Sequence, residues 1–124
     1  MRNSRKMEDI GLATAIKWFI KSDYAVSTPI TSSQQYNIVA EKDNKFYRVQ
    51  VKTTTFKNRY GTYVASIKTC DRNGAIVKRF DGTKVDFLFI VNAEYEMYLI
   101  PTDSSTPGTT ISLGKSRSRF KVSK

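Results

Sequence analysis

From Phe46 to Lys52 apolar and polar positions alternate. Tyr47, Val49 and Val51 fall on one side of an extended chain, and Arg48, Gln50 and Lys52 on the other. The first set predicts a face turned to the core. The second carries two cations and an amide, which a central strand of a small domain rarely presents unless that face lines a site. Asp43-Asn44 is short hairpin chemistry and joins this strand to a preceding one over Tyr36–Ala40. The hairpin places Asn37 at the far end of the neighbouring strand, near Lys52.

The rest of the chain divides by the same reading. Met7 to Ser22 has a wide apolar arc (Ile10, Leu12, Ala13, Ala15, Ile16, Trp18, Phe19, Ile20) and predicts a well-buried helix. Ser4 is its expected N-cap. Glu8 and Asp9 are expected in its first turn, and Lys17 and Lys21 near its end, as the helix dipole favours. Short strands are predicted over Tyr24–Thr28, Thr62–Thr69, Met97–Ile100 and Thr110–Leu113. A short second helix is predicted around Ile76–Phe80. Asp71-Arg72-Asn73-Gly74 and Asp81-Gly82 are turns. Val85–Val91 is almost wholly apolar and predicts a central strand buried on both faces. One helix, then a hairpin, then further strands define an α/β (α+β) architecture with a mixed central sheet and the N-terminal helix on one face.

Composition narrows the chemistry. The 124 residues suffice for one domain with one core. No apolar run is long enough to span a membrane, and no apolar secretory segment follows the basic N-terminus, so a cytoplasmic protein is expected. The chain has no histidine and one cysteine, which excludes a His/Cys zinc site, a His-based triad and an internal disulfide. Cys70 is expected to be a plain strand-end residue.

Charge is uneven. The formal net charge is +10; residues 42–80 carry +8 and residues 104–124 carry +5, while residues 81–103 carry −4. Such clustering is the footprint of a polyanion binder. Arg48, Lys57, Arg59, Lys68, Arg72, Lys78 and Arg79 are the candidate phosphate contacts. Duplex DNA is the expected partner.

Five stretches, taken together, resemble the PD-(D/E)XK endonucleases, in particular the small homing endonucleases associated with group I introns. They are Glu8–Ala13, Gln35–Val39, Tyr47–Thr53, Val85–Ile90 and Met97–Pro101, with Arg-Val-Gln-Val-Lys-Thr followed by Tyr-Leu-Ile-Pro the most specific part. The resemblance covers roughly residues 7–103 and implies a restriction-endonuclease-like domain over residues 1–103; residues 104–124, rich in Ser, Thr, Gly, Lys and Arg, read from composition as a basic tail, mobile apart from the short strand at Thr110–Leu113. The resemblance also implies that Asn37, Gln50 and Lys52 occupy the catalytic positions, with Asn37, Gln50 and the Val51 carbonyl on the metal side. The implied cofactor is Mg²⁺, if the chain is active, and the implied assembly is a dimer or tetramer.

The family's acids are changed. Its first-helix glutamate falls on Leu12 and its metal-binding aspartate on Asn37. Gln50 stands where many relatives carry glutamate, a known variant. Mg²⁺ is usually held by one or two carboxylates, so losing both matched acids weakens it on charge alone. Glu8, one turn before Leu12 on roughly the same face, is the candidate substitute. Three explanations follow: a site rearranged onto Glu8 or Asp9, a DNA-binding protein with a degraded centre, or an Asn37 engineered in place of aspartate, which leaves Leu12 unexplained. The expected function is DNA binding with a degraded or rearranged metal site. The alternatives are an active Mg²⁺-dependent homing endonuclease and a protein-binding inhibitor of phage type.

Overall fold

A glycine, an alanine and a phenylalanine at four-residue spacing seat the first helix on the sheet. In the computed structural model, which describes residues 2–70 and 76–123, helix α1 spans Arg2–Lys21 and buries Gly11, Ala15 and Phe19. The helix begins at Arg2 rather than Met7. Ser4 is therefore inside it, and no acid lies in its first turn. Glu8 and Asp9 fall in the second turn, where the dipole acts weakly.

Three strands follow: β1 (Ala25–Ser27), β2 (Ile38–Lys42) and β3 (Lys45–Thr54). The β2–β3 hairpin is antiparallel with Ile38 opposite Val49 and Lys42 opposite Lys45. Its two turn residues, Asp43 and Asn44, have φ of 53° and 65°. Two successive left-handed residues match the twist of the flanking strands, and Asn and Asp tolerate that conformation best after glycine. The expected register holds: Val49 and Val51 lie in one core with Ala15 and Phe19 of α1, Ile38, Ala40, Phe89, Val91 and Met97.

Residues 55–86 form an insertion between β3 and its parallel neighbour. The insertion carries β4 (Val64–Ser66), β5 (Thr69–Cys70) and β6 (Val77–Lys78). Cys70 is the second residue of β5, as expected of a strand-end position. The helix expected around Ile76–Phe80 is absent; Val77 and Lys78 pair with Cys70 and Thr69 instead, so ladder pairing overrides local propensity. The turn expected at Asp71–Gly74, including the candidate Arg72, lies outside the described residues.

The apolar run becomes β7 (Phe87–Asn92). It lies between β3, to which it is parallel, and β8 (Met97–Pro101), to which it is antiparallel. Five of its six residues are buried. Residues 104–123 belong to the same fold. β9 (Thr110–Ser112) pairs with β4, a 3₁₀ helix covers Lys115–Phe120, and β10 (Lys121–Val122) pairs with β8. The main sheet is thus six-stranded and mixed, in the order β1-β2-β3-β7-β8-β10. The segment read as a tail completes it at one edge.

Both faces of that sheet are covered. α1 lies on one. On the other, Leu88, Ile90, Tyr98 and Ile100 pack against Ala65, Ile67, Phe80, Val85, Ile111 and Leu113. This second core explains why Gln50, predicted to face a site, is 6% exposed: it stands beside Leu88 in the ladder, under the insertion. Among the described residues no helix is long and apolar enough to cross a membrane.

Candidate active site

The hairpin register brings Asn37 opposite Gln50, one residue beyond the last β2–β3 pair. The Asn37 N–H donates to the Val49 carbonyl at 2.9 Å. Its side chain then does what a further strand residue would do: the Val51 N–H donates to Asn37 Oδ1 at 2.6 Å. The donor is a backbone N–H, so the accepting end of the amide is its oxygen. Nδ2, a donor, is the other end.

Around this point lies a cavity of about 500 Å³. Asn37, Gln50, Val51, Lys52 and Thr53 form its strand wall; Glu8, Asp9 and Leu12 form its helix wall; Ser66 and Lys68 close it from the insertion. The four positions matched by resemblance (Leu12, Asn37, Gln50, Lys52) therefore line one cavity, and so does the suggested substitute Glu8. Lys52 Nζ donates to the Lys68 carbonyl at 3.0 Å, which ties the motif lysine to the insertion. Gln50 is held less well. Its Nε2 reaches the Val51 carbonyl only at 3.5 Å, and its Oε1 is buried without a donor among the described residues.

Gly11 sets the approach of the helix wall. A Cβ there would stand 2.3 Å from Thr53 Cγ2, far inside contact distance. Only hydrogen at this position lets α1 approach β3 this closely. Neither Gly11 nor Ser66 was singled out from the sequence. Gly11 was legible in principle, because a glycine within a helical pattern signals close packing. Ser66 reaches the cavity through long-range pairing that no local pattern encodes.

The other candidate cations are distributed. Arg48 lies toward the opposite end of β3, away from the cavity lining, where its backbone N–H and guanidinium Nε donate to Asp86 Oδ2 at 2.7 and 3.2 Å. Burial works to raise the Asp86 pKa, but the Arg48 hydrogen bonds and charge outweigh it and hold the carboxyl below its ordinary range. Lys57 sits over the Tyr63 ring, with Nζ 3.6 Å from Glu94. Arg59 stacks on Tyr60 in an exposed loop, and Lys78 and Arg79 are exposed on and after β6. Lys57, Arg59, Lys68, Lys78 and Arg79 all belong to the 55–86 insertion.

Below that loop, Asn92 is fully buried and organises the β7–β8 turn. Its Oδ1 accepts from the Glu94 and Glu96 N–H groups, both at 3.0 Å, and its Nδ2 donates to Glu96 Oε1 at 2.8 Å. Lys121 of β10 donates to the other Glu96 oxygen, which draws the C-terminal strand to the turn.

A six-stranded mixed sheet with a helix on one face, and a lysine beside two amides at the end of its central hairpin, define a nuclease-type architecture. The PD-(D/E)XK endonuclease family model matches residues 2–121, and the chain belongs to that family. Among solved structures it is similar to a bacterial homing endonuclease, I-Ssp6803I, with a TM-score of 0.74 and 23% identity over 94% of this chain and 81% of that one. At that identity the likeness establishes the fold. No curated protein sequence matches. The match to residue 121 includes the segment first read as a tail.

Nucleases of this family generally use divalent metals. Among the described residues no three His, Cys, Asp or Glu side chains group as a metal site. The cavity does offer hard oxygen donors of the type Mg²⁺ accepts: two carboxylates, an amide oxygen and a backbone carbonyl. The donor chemistry fits such an ion, with the negative charge on the helix wall.

Proposed function

We propose that this chain binds duplex DNA, and that its phosphodiester-cleaving centre has been altered at the two positions where the family carries acids. The observation that carries the reading is the convergence of Leu12, Asn37, Gln50 and Lys52 on one cavity, beside an insertion rich in cations. A phosphate entering the cavity would meet Lys52 and Lys68, and flanking phosphates would meet Lys57, Arg59, Lys78 and Arg79. Mg²⁺, when bound, would polarise a phosphate and lower the pKa of an attacking water. Lys52 would hold the reacting phosphate against that water, fixed in place by the Lys68 carbonyl. Leu12 supplies no carboxylate, and the oxygen of Asn37 is engaged by Val51 N–H, so hydrolysis is weak or absent.

A chain of this size contacts only a short stretch of duplex, so a long target requires two or more copies. The alternative, an active Mg²⁺-dependent homing endonuclease, is favoured by one observation: Glu8 and Asp9 face the same cavity and restore negative charge to it. Fluorescence anisotropy with a labelled duplex tests the DNA-binding reading. The four flanking phosphate contacts alone predict an affinity loss of at least about 10²-fold between 50 and 200 mM salt. Affinity indifferent to salt over that range removes the reading.

A further inference from the structure

One ring in the molecule is held in place without being packed. Tyr60 is 76% exposed, the most exposed aromatic side chain among the described residues, and it belongs to neither core. It stands at the tip of a two-stranded ribbon that continues β3. Val64 N–H donates to the Phe56 carbonyl at 3.0 Å, Lys57 pairs with Tyr63, and Asn58 N–H donates to the Thr62 carbonyl at 2.9 Å. Buried Thr54, at the end of β3, fixes the base of the ribbon: its hydroxyl donates to the Val64 carbonyl at 2.6 Å and accepts from Phe56 N–H at 3.2 Å.

The tip has its own supports. Asn58 Oδ1 accepts from the N–H groups of Tyr60 and Thr62 at 2.9 and 3.1 Å, and Gly61 N–H donates to the Asn58 carbonyl at 3.0 Å. Gly61 has φ of 78°, a conformation that glycine adopts without steric cost. The ring is held by its neighbour. The Arg59 guanidinium lies 5.0 Å from the ring centroid, and its Nη2 donates to Tyr60 Oη at 2.9 Å. The cation covers one face of the ring and leaves the rest open to solvent.

Fixing two long side chains together on a surface costs rotamer entropy and returns little to the fold. The arrangement is accounted for by what the open ring meets on binding. Residues 55–63 carry Lys57 and Arg59 and no acid, so the surface fits a polyanion. The apolar surfaces of a nucleic acid are its base faces, and every base offers one to an aromatic ring. In a duplex those faces open most cheaply at pyrimidine–purine steps and at mismatches.

We propose that Tyr60 is a base-stacking residue: its open face takes a base exposed at a weakly stacked duplex step, while Arg59 stays on the other face and meets the adjacent phosphate. The inference rests on the duplex-binding reading above and adds to it a preference for deformable DNA, set outside the cavity.

The test is fluorescence anisotropy of the full chain in EDTA, so that no cleavage intervenes. Two labelled duplexes of one length and sequence are compared, one fully paired and one with a central T·T mismatch. The unaltered chain is expected to bind the mismatched duplex at least about fivefold tighter. Tyr60→Ala is expected to lose that preference, to keep salt-dependent binding of the paired duplex, and to leave the urea midpoint unchanged because the ring is exposed. Tyr60→Phe, which keeps the ring, is expected to keep the preference. So is Phe46→Ala, which removes an exposed aromatic at the other end of β3. Equal affinity of the unaltered chain for the two duplexes, a preference that survives Tyr60→Ala, or one lost in Tyr60→Phe overturns the proposal and leaves the duplex-binding reading standing. Failure to bind either duplex removes both.

Discussion

Gly11 is the residue on which the geometry of the cavity most depends, and its substitution gives a signed free-energy test. In an ordinary helix interior Gly→Ala stabilises by about 1 kcal/mol, because alanine loses less backbone entropy. Here the added methyl would stand 2.3 Å from Thr53 Cγ2, while the next nearest atoms, Thr53 Cβ and Val51 Cγ1, are at ordinary distances of 3.8 and 3.9 Å. Overpacking of this kind costs roughly 1–3 kcal/mol. Gly11→Ala is therefore expected to destabilise by about 1 kcal/mol net, and α1 should move off β3. The clash involves one methyl group, so removing it should reverse the sign. In a Thr53→Ser background, Gly11→Ala should stabilise by up to about 1 kcal/mol, giving a coupling energy of about 2 kcal/mol across the cycle. Urea unfolding followed by Trp18 fluorescence measures all four proteins. A stabilising Gly11→Ala in the unaltered background, with no coupling to Thr53, refutes the close approach and with it the placement of Glu8 and Asp9.

Other expectations are simpler to state. Charge reversal of Lys57 and Arg59 to Glu should weaken binding to every duplex sequence, checked by anisotropy on two unrelated oligonucleotides, because these residues would contact phosphate rather than bases. Asn92→Ala should cost about 1–3 kcal/mol in urea unfolding, since two part-buried turn N–H groups lose their acceptor. The Lys121 and Asn92 hydrogen bonds hold the Glu96 pKa below its ordinary 4.5, and the Glu96 hydrogen bond holds the Lys121 pKa above 10.5. Stability from Glu96 is thus present above pH 4.5 and lost as pH falls through its folded pKa. Stability from Lys121 is present below pH 10.5 and lost as pH rises through its folded pKa. Glu96→Gln should flatten both limbs of the stability profile, read as urea midpoints across pH; unchanged limbs would remove this ion pair as their source.

The parts of the fold that declared themselves in the sequence are those with local causes. Asp43-Asn44 dictates the hairpin, the alternation through Val49 and Val51 sets its register, and the apolar run ending at Val91 becomes the central strand. The misses are long-range. Val77 and Lys78 look helical alone and become a strand because Thr69 and Cys70 lie beside them. Ile111 and Leu113 are diluted by Ser, Thr and Gly, so their segment resembled a tail, yet both are buried in the second core. The cavity positions Asn37, Gln50 and Lys52 were legible through the motif frame. That Asn37 spends its oxygen on Val51 N–H was not, because it depends on where the β2–β3 ladder ends.

The central claim is that a nuclease frame is intact and its acids are altered. Mg²⁺-dependent nicking of supercoiled plasmid, measured on the unaltered chain, on Leu12→Glu with Asn37→Asp, and on that pair with Lys52→Ala, tests it most directly. An aspartate at position 37 can keep its bond to Val51 N–H with one oxygen and offer the second to a metal. The account predicts weak or absent nicking by the unaltered chain, a clear gain in the double variant, and loss of that gain when Lys52 is removed. Robust cleavage by the unaltered chain, or a double variant that binds DNA and stays silent, would contradict it.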